Sequence, residues 1–187
     1  MATESPFVAI AHAVADEILA PPFRVARGAP LLYEIRVSNA LEVMSQDQVR
    51  KPKRGTSAFQ TDLCVFEDKT PDIAIPRVVI EFKTGITTHD VLTYSAKAVK
   101  HKQIYPYLRY GVLASSEKSI PGRVFTHNEG LDFFAAVAEL QEPEFKSFFA
   151  SLLQAEIESS KRLEAIAFGT VKTRLFRTEV QIEQYAR

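Results

Sequence analysis

Apolar residues follow a helical period in some parts of the chain and a strand-like pattern in others. Helical spacing of apolar residues predicts helices over 6–19, 29–44, 89–105, 131–140 and 144–167. Short runs of β-branched and aromatic residues predict strands over 61–67, 78–83, 110–114 and 171–176. The order strand, helix, strand over 78–114 predicts a parallel strand pair joined by a helical crossover.

These elements indicate the α/β class, with a small mixed sheet flanked by helices and further helices towards the C-terminus. A chain of 187 residues is expected to form one domain over 1–187. Within it, the candidate core spans about 29–115 and a C-terminal helical region spans about 129–168. The 46% hydrophobic and 25% charged residues are typical of a globular protein.

The cysteine count and the first residues of the chain indicate which cellular compartment and which kinds of site to expect. Cys64 is the only cysteine, which excludes an intrachain disulfide and a cysteine-rich zinc site. The first residues lack the basic and apolar regions of a secretory signal. No apolar run reaches the roughly 20 residues of a membrane span. We therefore expect a cytoplasmic protein with no membrane partner.

The segment Glu81-Phe82-Lys83 carries the strongest candidate chemistry. It ends the apolar run Val78–Phe82, and residues two apart on a strand share one face. A carboxylate and an ammonium at the end of a buried strand are costly unless they pair, bind a metal or take part in chemistry. An edge-strand ion pair is the simplest alternative.

An aspartate upstream completes a candidate metal site. Asp62 precedes Glu81 by 19 residues and begins its own strand-like run, so a hairpin of the two strands places both acids side by side. Carboxylate oxygens suit Mg²⁺, and Lys83 could orient a water or stabilise charge on a phosphate. Asp72, in a proline-flanked turn, is the competing choice, and its position in a turn favours Asp62.

This arrangement resembles the PD-(D/E)XK nuclease superfamily, which includes many restriction endonucleases. Asp62 matches the first motif, although Thr61 stands where the family has proline. Glu81 and Lys83 match the second motif. The resemblance covers roughly 29–115 and implies a restriction-endonuclease-like core.

The resemblance also implies roles for further residues. Family members often add an acid from the preceding helix, for which Glu34 is the first choice and Glu42 the second. Gln103, followed four residues later by Tyr107, resembles the Gln-x-x-x-Tyr of one subgroup. The implied metal ligands are Asp62, Glu81 and Glu34, and the implied catalytic residues are these three with Lys83 and Gln103.

Basic residues concentrate in the middle of a chain whose formal net charge is zero. Between 50 and 109 there are 11 Lys and Arg against 6 Asp and Glu, a local excess of +5. Such a stretch can bind a polyanion through one face. The candidate nucleic-acid contacts are Arg50, Lys51, Lys53, Arg54, Lys97, Lys100 and His101.

The resemblance implies a Mg²⁺-dependent DNA endonuclease of the type II restriction kind. Cutting both strands usually requires two sites, which implies a homodimer with the C-terminal helices as its candidate interface. Two alternatives stay open. One is a repair or phage-type nuclease that acts on DNA ends or junctions, and the other is a non-catalytic nucleic-acid-binding module with the same fold.

Overall fold

A five-stranded mixed sheet lies at the centre of the molecule, with helices packed against both faces. The computed structural model describes residues 6–44, 49–55, 57–177 and 180–182. The helices are α1 (Pro6–Ile18), α2 (Thr88–Ile104), α3 (Gly122–His127) and α4 (Glu142–Ala167). The strands are β1 (Phe23–Arg27), β2 (Pro30–Leu32), β3 (Arg36–Val37), β4 (Val43–Met44), β5 (Ala58–Gln60), β6 (Leu63–Thr70), β7 (Ile73–Lys83), β8 (Arg109–Ala114) and β9 (Phe133–Ala136).

The strand order of the main sheet is β1-β6-β7-β8-β9. Strands β1, β6 and β7 are antiparallel neighbours, whereas β7, β8 and β9 run parallel. Two short ribbons, β2–β5 and β3–β4, lie outside this sheet. The predicted α/β class is confirmed, and so are the β6–β7 hairpin and the parallel β7–β8 pair joined through α2.

The two faces of β7 are buried against different helices. Val78, Ile80 and Phe82 belong to a core shared with α1 and α4, whereas Val79 packs with residues of α2 and α3. Because side chains alternate along a strand, Glu81 faces the same side as Val79, towards α2. Burial on both faces explains the nearly continuous apolar run of this strand.

The prediction of a helix over 29–44 is wrong. This segment contains β2, β3 and β4 instead. Ile35, Val37 and Val43 are β-branched and occupy alternate positions, a period that fits a strand better than a helix. Val37 pairs with Val43 across the β3–β4 ribbon, so main-chain hydrogen bonding decides the outcome.

Two predictions near the C-terminus are also wrong. The predicted helix over 131–140 contains β9, which adds to the parallel edge of the sheet beside β8. Pairing with an existing strand edge outweighs the helical spacing of its apolar residues. The predicted strand over 171–176 has no strand structure, and Leu175 and Phe176 are exposed. The C-terminal helical region is therefore a single long helix, α4.

Arg77 ties α4 to the sheet. Its side chain is fully buried, and Nε donates a 2.7 Å hydrogen bond to Glu67 Oε2. A second guanidinium nitrogen binds the carboxylate of Glu164 on α4. The burial of this arginine among carboxylates fixes the helix relative to β6 and β7.

The other helices follow their predicted positions closely, with α1, α2 and α4 corresponding to 6–19, 89–105 and 144–167. Strands β1 and β5 and the short helix α3 were not predicted. Among the described residues, no helix is both long enough and apolar enough to cross a membrane.

Candidate functional site

Asp62 and Glu81 meet where β6 begins and β7 ends. Leu63 pairs with Ile80 in the antiparallel register. Asp62, which precedes Leu63, therefore lies opposite Glu81, which follows Ile80. Asp62 Oδ2 accepts a 2.9 Å hydrogen bond from the main-chain N–H of Phe82, which holds its carboxylate beside β7. The two carboxyl groups are within hydrogen-bonding reach of each other.

Glu81 is almost completely buried, with 2% of its surface exposed. Burial raises the pKa of its carboxyl to about 7; Asp62 adds to the rise, and Lys97 opposes it. Glu81 therefore keeps its proton up to about neutral pH, because its burial and the nearby Asp62 both disfavour the charged form. A divalent cation relieves the same repulsion, so it would compete with that proton.

The position of Asp72 excludes it from the pair. Asp72 is exposed in the turn that joins β6 to β7. Nine residues separate it from Glu81, which along an extended strand is about 30 Å. Of the two candidates from the sequence, only Asp62 lies beside Glu81.

Lys83 extends from the same face of β7 as Glu81. Its Nζ lies 3.3 Å from Asp90 Oδ1 and 5.5 Å from the ring centroid of Tyr94. Burial opposes the charged form, but Tyr94 and Asp90 outweigh it and raise the pKa of the ammonium. Lys83 therefore stays a cation, and its ion-pair partner is Asp90.

Asp90 is held by the start of α2. Its carboxylate accepts from the N–H and the hydroxyl of Thr87, and its own N–H donates to the Thr87 hydroxyl, forming a capping box. A capped helix end is a rigid support for a side chain. Asp90 thus holds the Lys83 ammonium at a fixed place, a role that the sequence analysis missed.

Lys97 on α2 is the cation in contact with Glu81. Its Nζ lies 3.5 Å from Glu81 Oε1. The ammonium also lies 5.1 Å from the ring centroid of Tyr94 and 5.8 Å from that of Phe59. The sequence predicted Lys97 only as a phosphate contact, whereas the structure brings it to the carboxylates.

Tyr110 completes the environment of Glu81. Its hydroxyl donates a hydrogen bond to Glu81 Oε1. Burial raises the pKa of this phenol well above its ordinary value, so it remains a donor. Glu81 pairs with Val112 on β8, and Tyr110 lies two residues earlier on the same face. That spacing was visible in the sequence, but the strand register was not.

Glu34 is not brought to this pair. It follows β2 rather than lying on the predicted helix, and its carboxylate binds Arg36. In the part of the chain that the structure describes, no third carboxylate, imidazole or thiol joins Asp62 and Glu81 in a metal-binding group. Glu42, the second choice, is exposed.

Gln103 lies on a different side of α2 from Lys97. Six residues separate them, which turns Gln103 about 240° around the helix. Gln103 is exposed, while Tyr107 is buried with its ring under the guanidinium of Arg77. Of the Gln-x-x-x-Tyr pair, Tyr107 thus packs in the core near α4, whereas Gln103 lies at the surface.

His101 is a core residue, which contradicts the prediction that it contacts phosphate. It is fully buried and stacks on Tyr110 at 5.7 Å between ring centroids. Its Nδ1–H donates to the carbonyl of Leu32 at 2.8 Å. Burial lowers the pKa of the imidazole to about 4, so His101 is neutral at physiological pH.

The remaining predicted nucleic-acid contacts lie at the surface. Lys100 is exposed, with its ammonium 5.1 Å from the ring centroid of Tyr33. The other four form an exposed basic loop between β4 and β5, and they are Arg50, Lys51, Lys53 and Arg54. Apart from Lys97 and His101, the predicted contacts are thus accessible to a large ligand.

The oxygen atoms of Asp62 and Glu81 fit a hard cation. Mg²⁺ typically takes one or two protein carboxylates and keeps waters or substrate oxygens in its other positions. Burial raises the pKa of Glu81, and the contact with Lys97 lowers it only in part. Two carboxylates at the end of a buried strand are thus oxygen ligands that suit Mg²⁺.

Comparison with known protein families and with curated protein sequences finds no match to this chain.

Proposed function

We propose that this protein is a metal-dependent nuclease that hydrolyses phosphodiester bonds in DNA, with a restriction-endonuclease-like core. One observation carries the proposal: Asp62 and Glu81 lie within hydrogen-bonding reach on neighbouring strands, and Lys83 extends from the same face. This combination is the site that the PD-(D/E)XK resemblance implies. It also stands on its own as two acids at the end of a buried strand, with a cation on the same strand face.

Each side chain has a role that follows from its surroundings. Asp62 and Glu81 would hold Mg²⁺ through their carboxylate oxygens. The ion would supply Lewis acidity towards a phosphate oxygen and lower the pKa of water. Lys83, kept charged and positioned by Asp90, orients the attacking water and stabilises charge that develops on the phosphate.

Lys97 and Tyr110 keep Glu81 ready to bind the cation. Both contact Glu81 Oε1. The Lys97 ammonium favours the ionised carboxylate, and the Tyr110 hydroxyl fixes its orientation. Glu81 therefore gains its charge near neutral pH, where a divalent cation can replace the proton.

The charge distribution supports DNA as the substrate. The exposed basic loop and Lys100 provide phosphate contacts that are independent of base sequence. A type II restriction activity and a homodimer are the finer form of the proposal. Cutting both strands of a duplex from two equivalent sites calls for two copies of the chain.

Incubation with supercoiled, linear and single-stranded DNA, each with Mg²⁺ or with EDTA, tests the proposal. We expect Mg²⁺-dependent nicking or linearisation of the supercoiled form, and discrete fragments from linear DNA if the enzyme is of the restriction kind. Ladders that grow from the ends would instead indicate an exonuclease.

The matched variants are Lys83→Ala and Lys118→Ala. Lys83→Ala is expected to reduce cleavage by roughly 100-fold or more while DNA binding persists. Lys118 is an exposed lysine paired with Glu139, and its loss should leave cleavage unchanged. Full activity of Lys83→Ala would contradict the mechanism, and DNA binding without any cleavage by the wild type would favour a non-catalytic module.

A further inference from the structure

The segment between β2 and β5 carries both exposed apolar and exposed basic side chains. We call its described residues, 33–44 and 49–55, the arm. Leu32 pairs with Ala58, and the Tyr33 N–H donates to the carbonyl of Ser57. Both ends of the arm therefore leave the same end of the β2–β5 ribbon.

The β3–β4 hairpin of the arm exposes one apolar face. Val37 and Val43 are cross-strand partners, so their side chains lie on the same side, and Ile35 lies two residues before Val37. Their exposed fractions are 62%, 74% and 42%. Contiguous exposed apolar surface of this kind marks an interaction site.

Leu41 is the most exposed of these apolar side chains, at 85%. Its φ of 61° lies in the left-handed region, which disfavours a residue with a branched side chain. The Leu41 N–H donates to the Ser38 carbonyl at 2.9 Å, and the Ser38 hydroxyl accepts from Ala40 and Glu42. The tip is thus a firmly bonded turn that presents leucine where glycine or asparagine is usual.

In the other part of the arm, residues 49–55, every charged residue is basic. The segment 49–55 carries Arg50, Lys51, Lys53 and Arg54, all exposed, and contains no acidic residue. These four positive charges lie in the same segment of the chain as the apolar hairpin, and they outnumber the two carboxylates among the described residues of the arm, Glu34 and Glu42. Together with the apolar face they complement a polyanion that also offers apolar surface. Duplex DNA has both, in its phosphates and its stacked bases.

The base of the arm adjoins the two carboxylates. Tyr33 stacks on Phe59, with ring centroids 3.9 Å apart. Lys97 lies over Phe59 and contacts Glu81, so one chain of contacts links the arm to the candidate metal ligands. A ligand at the carboxylates therefore lies close to the base of the arm.

We propose that the arm is a wedge that distorts duplex DNA. The apolar face of the hairpin enters the minor groove and Leu41 inserts between neighbouring base pairs, while the basic loop binds the adjacent phosphates. Apolar wedges beside basic residues unstack and bend DNA in this way. The inference rests on the proposed function for its substrate, and it adds that the duplex is deformed next to the scissile phosphate.

Fluorescence of 2-aminopurine measures the unstacking directly. Short duplexes of mixed sequence carry the probe at successive positions, and binding is measured in EDTA so that no cleavage occurs. We expect the wild type to raise the fluorescence on binding. Leu41→Ser should abolish the rise and weaken binding roughly tenfold, because it removes a large apolar side chain from the contact.

Two control variants distinguish the role of Leu41 from the roles of other exposed apolar and basic residues. Leu175→Ser changes a similarly exposed leucine in the C-terminal segment, where the side chain is 71% exposed, and should bind and unstack as the wild type does. Lys51→Ala with Lys53→Ala should lower the salt slope of log K by about 2 while the fluorescence rise at saturation persists. Unchanged thermal unfolding of each variant verifies the fold.

The outcomes distinguish this inference from the nuclease proposal. If the wild type cleaves DNA with Mg²⁺ and Leu41→Ser still unstacks and binds equally well, the wedge is refuted and the nuclease stands. If the wild type unstacks DNA in EDTA but never cleaves it, the wedge stands alone. Absence of DNA binding overturns both.

Other ligands for the arm give different signatures. Leu41-dependent binding to phosphatidylserine vesicles without DNA unstacking would identify a membrane surface and overturn the wedge. A Leu41-dependent loss of self-association without DNA unstacking would identify a second copy of the chain and overturn it equally.

Discussion

The carboxyl groups of Asp62 and Glu81 lie within hydrogen-bonding reach because Leu63 pairs with Ile80 in the β6–β7 hairpin. The burial of Glu81, with Asp62 close to it, keeps a proton on Glu81 near neutral pH. The site is therefore less stable as an empty pair of carboxylates than as a protonated or cation-bound one. The unfavourable charge of this pair therefore has measurable effects on folding stability, metal binding and cleavage.

Stability without metal is predicted to fall as the pH rises. The folded pKa of Glu81 is about 7 and its ordinary value is 4.5, so between these values the folded state binds more protons than the unfolded state. The slope of the unfolding free energy with pH is then negative, and the loss sums to roughly 3 kcal/mol. Urea unfolding in EDTA across this range measures it.

Glu81→Gln is the matched variant for this titration. The amide keeps an acceptor for Tyr110 but cannot ionise, so its stability should depend less on pH and exceed that of the wild type above about pH 8. Added Mg²⁺ should stabilise only the wild type, because a cation that binds the folded state shifts unfolding by mass action. Parallel pH dependences of the two proteins would falsify the raised pKa of Glu81.

Asp62→Asn is predicted to remove metal binding, whereas Asp72→Asn is predicted to preserve it. Asp62 supplies one of the two carboxylates, and Asp72 is exposed in the distant turn. Calorimetric titration with Mg²⁺ should show at least about a tenfold weaker association for Asp62→Asn, since a cation site loses half of its ligand charge. Equal affinities of both variants would mean that the cation binds elsewhere.

Lys97→Met is predicted to shift the pH profile of cleavage to higher pH. The ammonium lowers the pKa of Glu81, so its loss leaves the carboxyl protonated to a higher pH and delays cation binding. At neutral pH the cleavage rate should fall roughly 10- to 100-fold. The control is Lys100→Met, which removes an exposed charge over Tyr33 and should leave the profile in place.

Arg77→Met is predicted to destabilise the fold by roughly 3–5 kcal/mol, because it removes the buried partner of Glu67 and leaves that carboxylate with Lys69 alone. Glu67 is only 8% exposed, and it depends on Arg77 and Lys69 for its pairing. Chemical denaturation measures the loss. Lys118→Met, which breaks an exposed pair with Glu139, should cost less than about 1 kcal/mol. A similar small cost for Arg77→Met would show that α4 is held mainly by apolar packing.

The local pattern of the sequence determined much of the central sheet. The apolar run of β7 is visible because the strand is buried on both faces, and the alternation of side chains puts Glu81 and Lys83 on one face. The run 61–67 and the helix over 89–105 are likewise readable from neighbouring residues. Periodicity is a property of consecutive residues, so it is accessible without long-range contacts.

Tertiary structure decided which residues meet. The strand register selected Asp62 over Asp72, the packing of α2 on β7 brought Lys97 to Glu81, and the same packing buried His101. It also turned the segments 29–44 and 131–140 into strands by offering partners for their main-chain groups. The sequence alone determines the residue types and, through their spacing, the face of a strand or helix on which each residue lies. Distances between side chains far apart in the chain depend on register and packing, which are set by the whole fold.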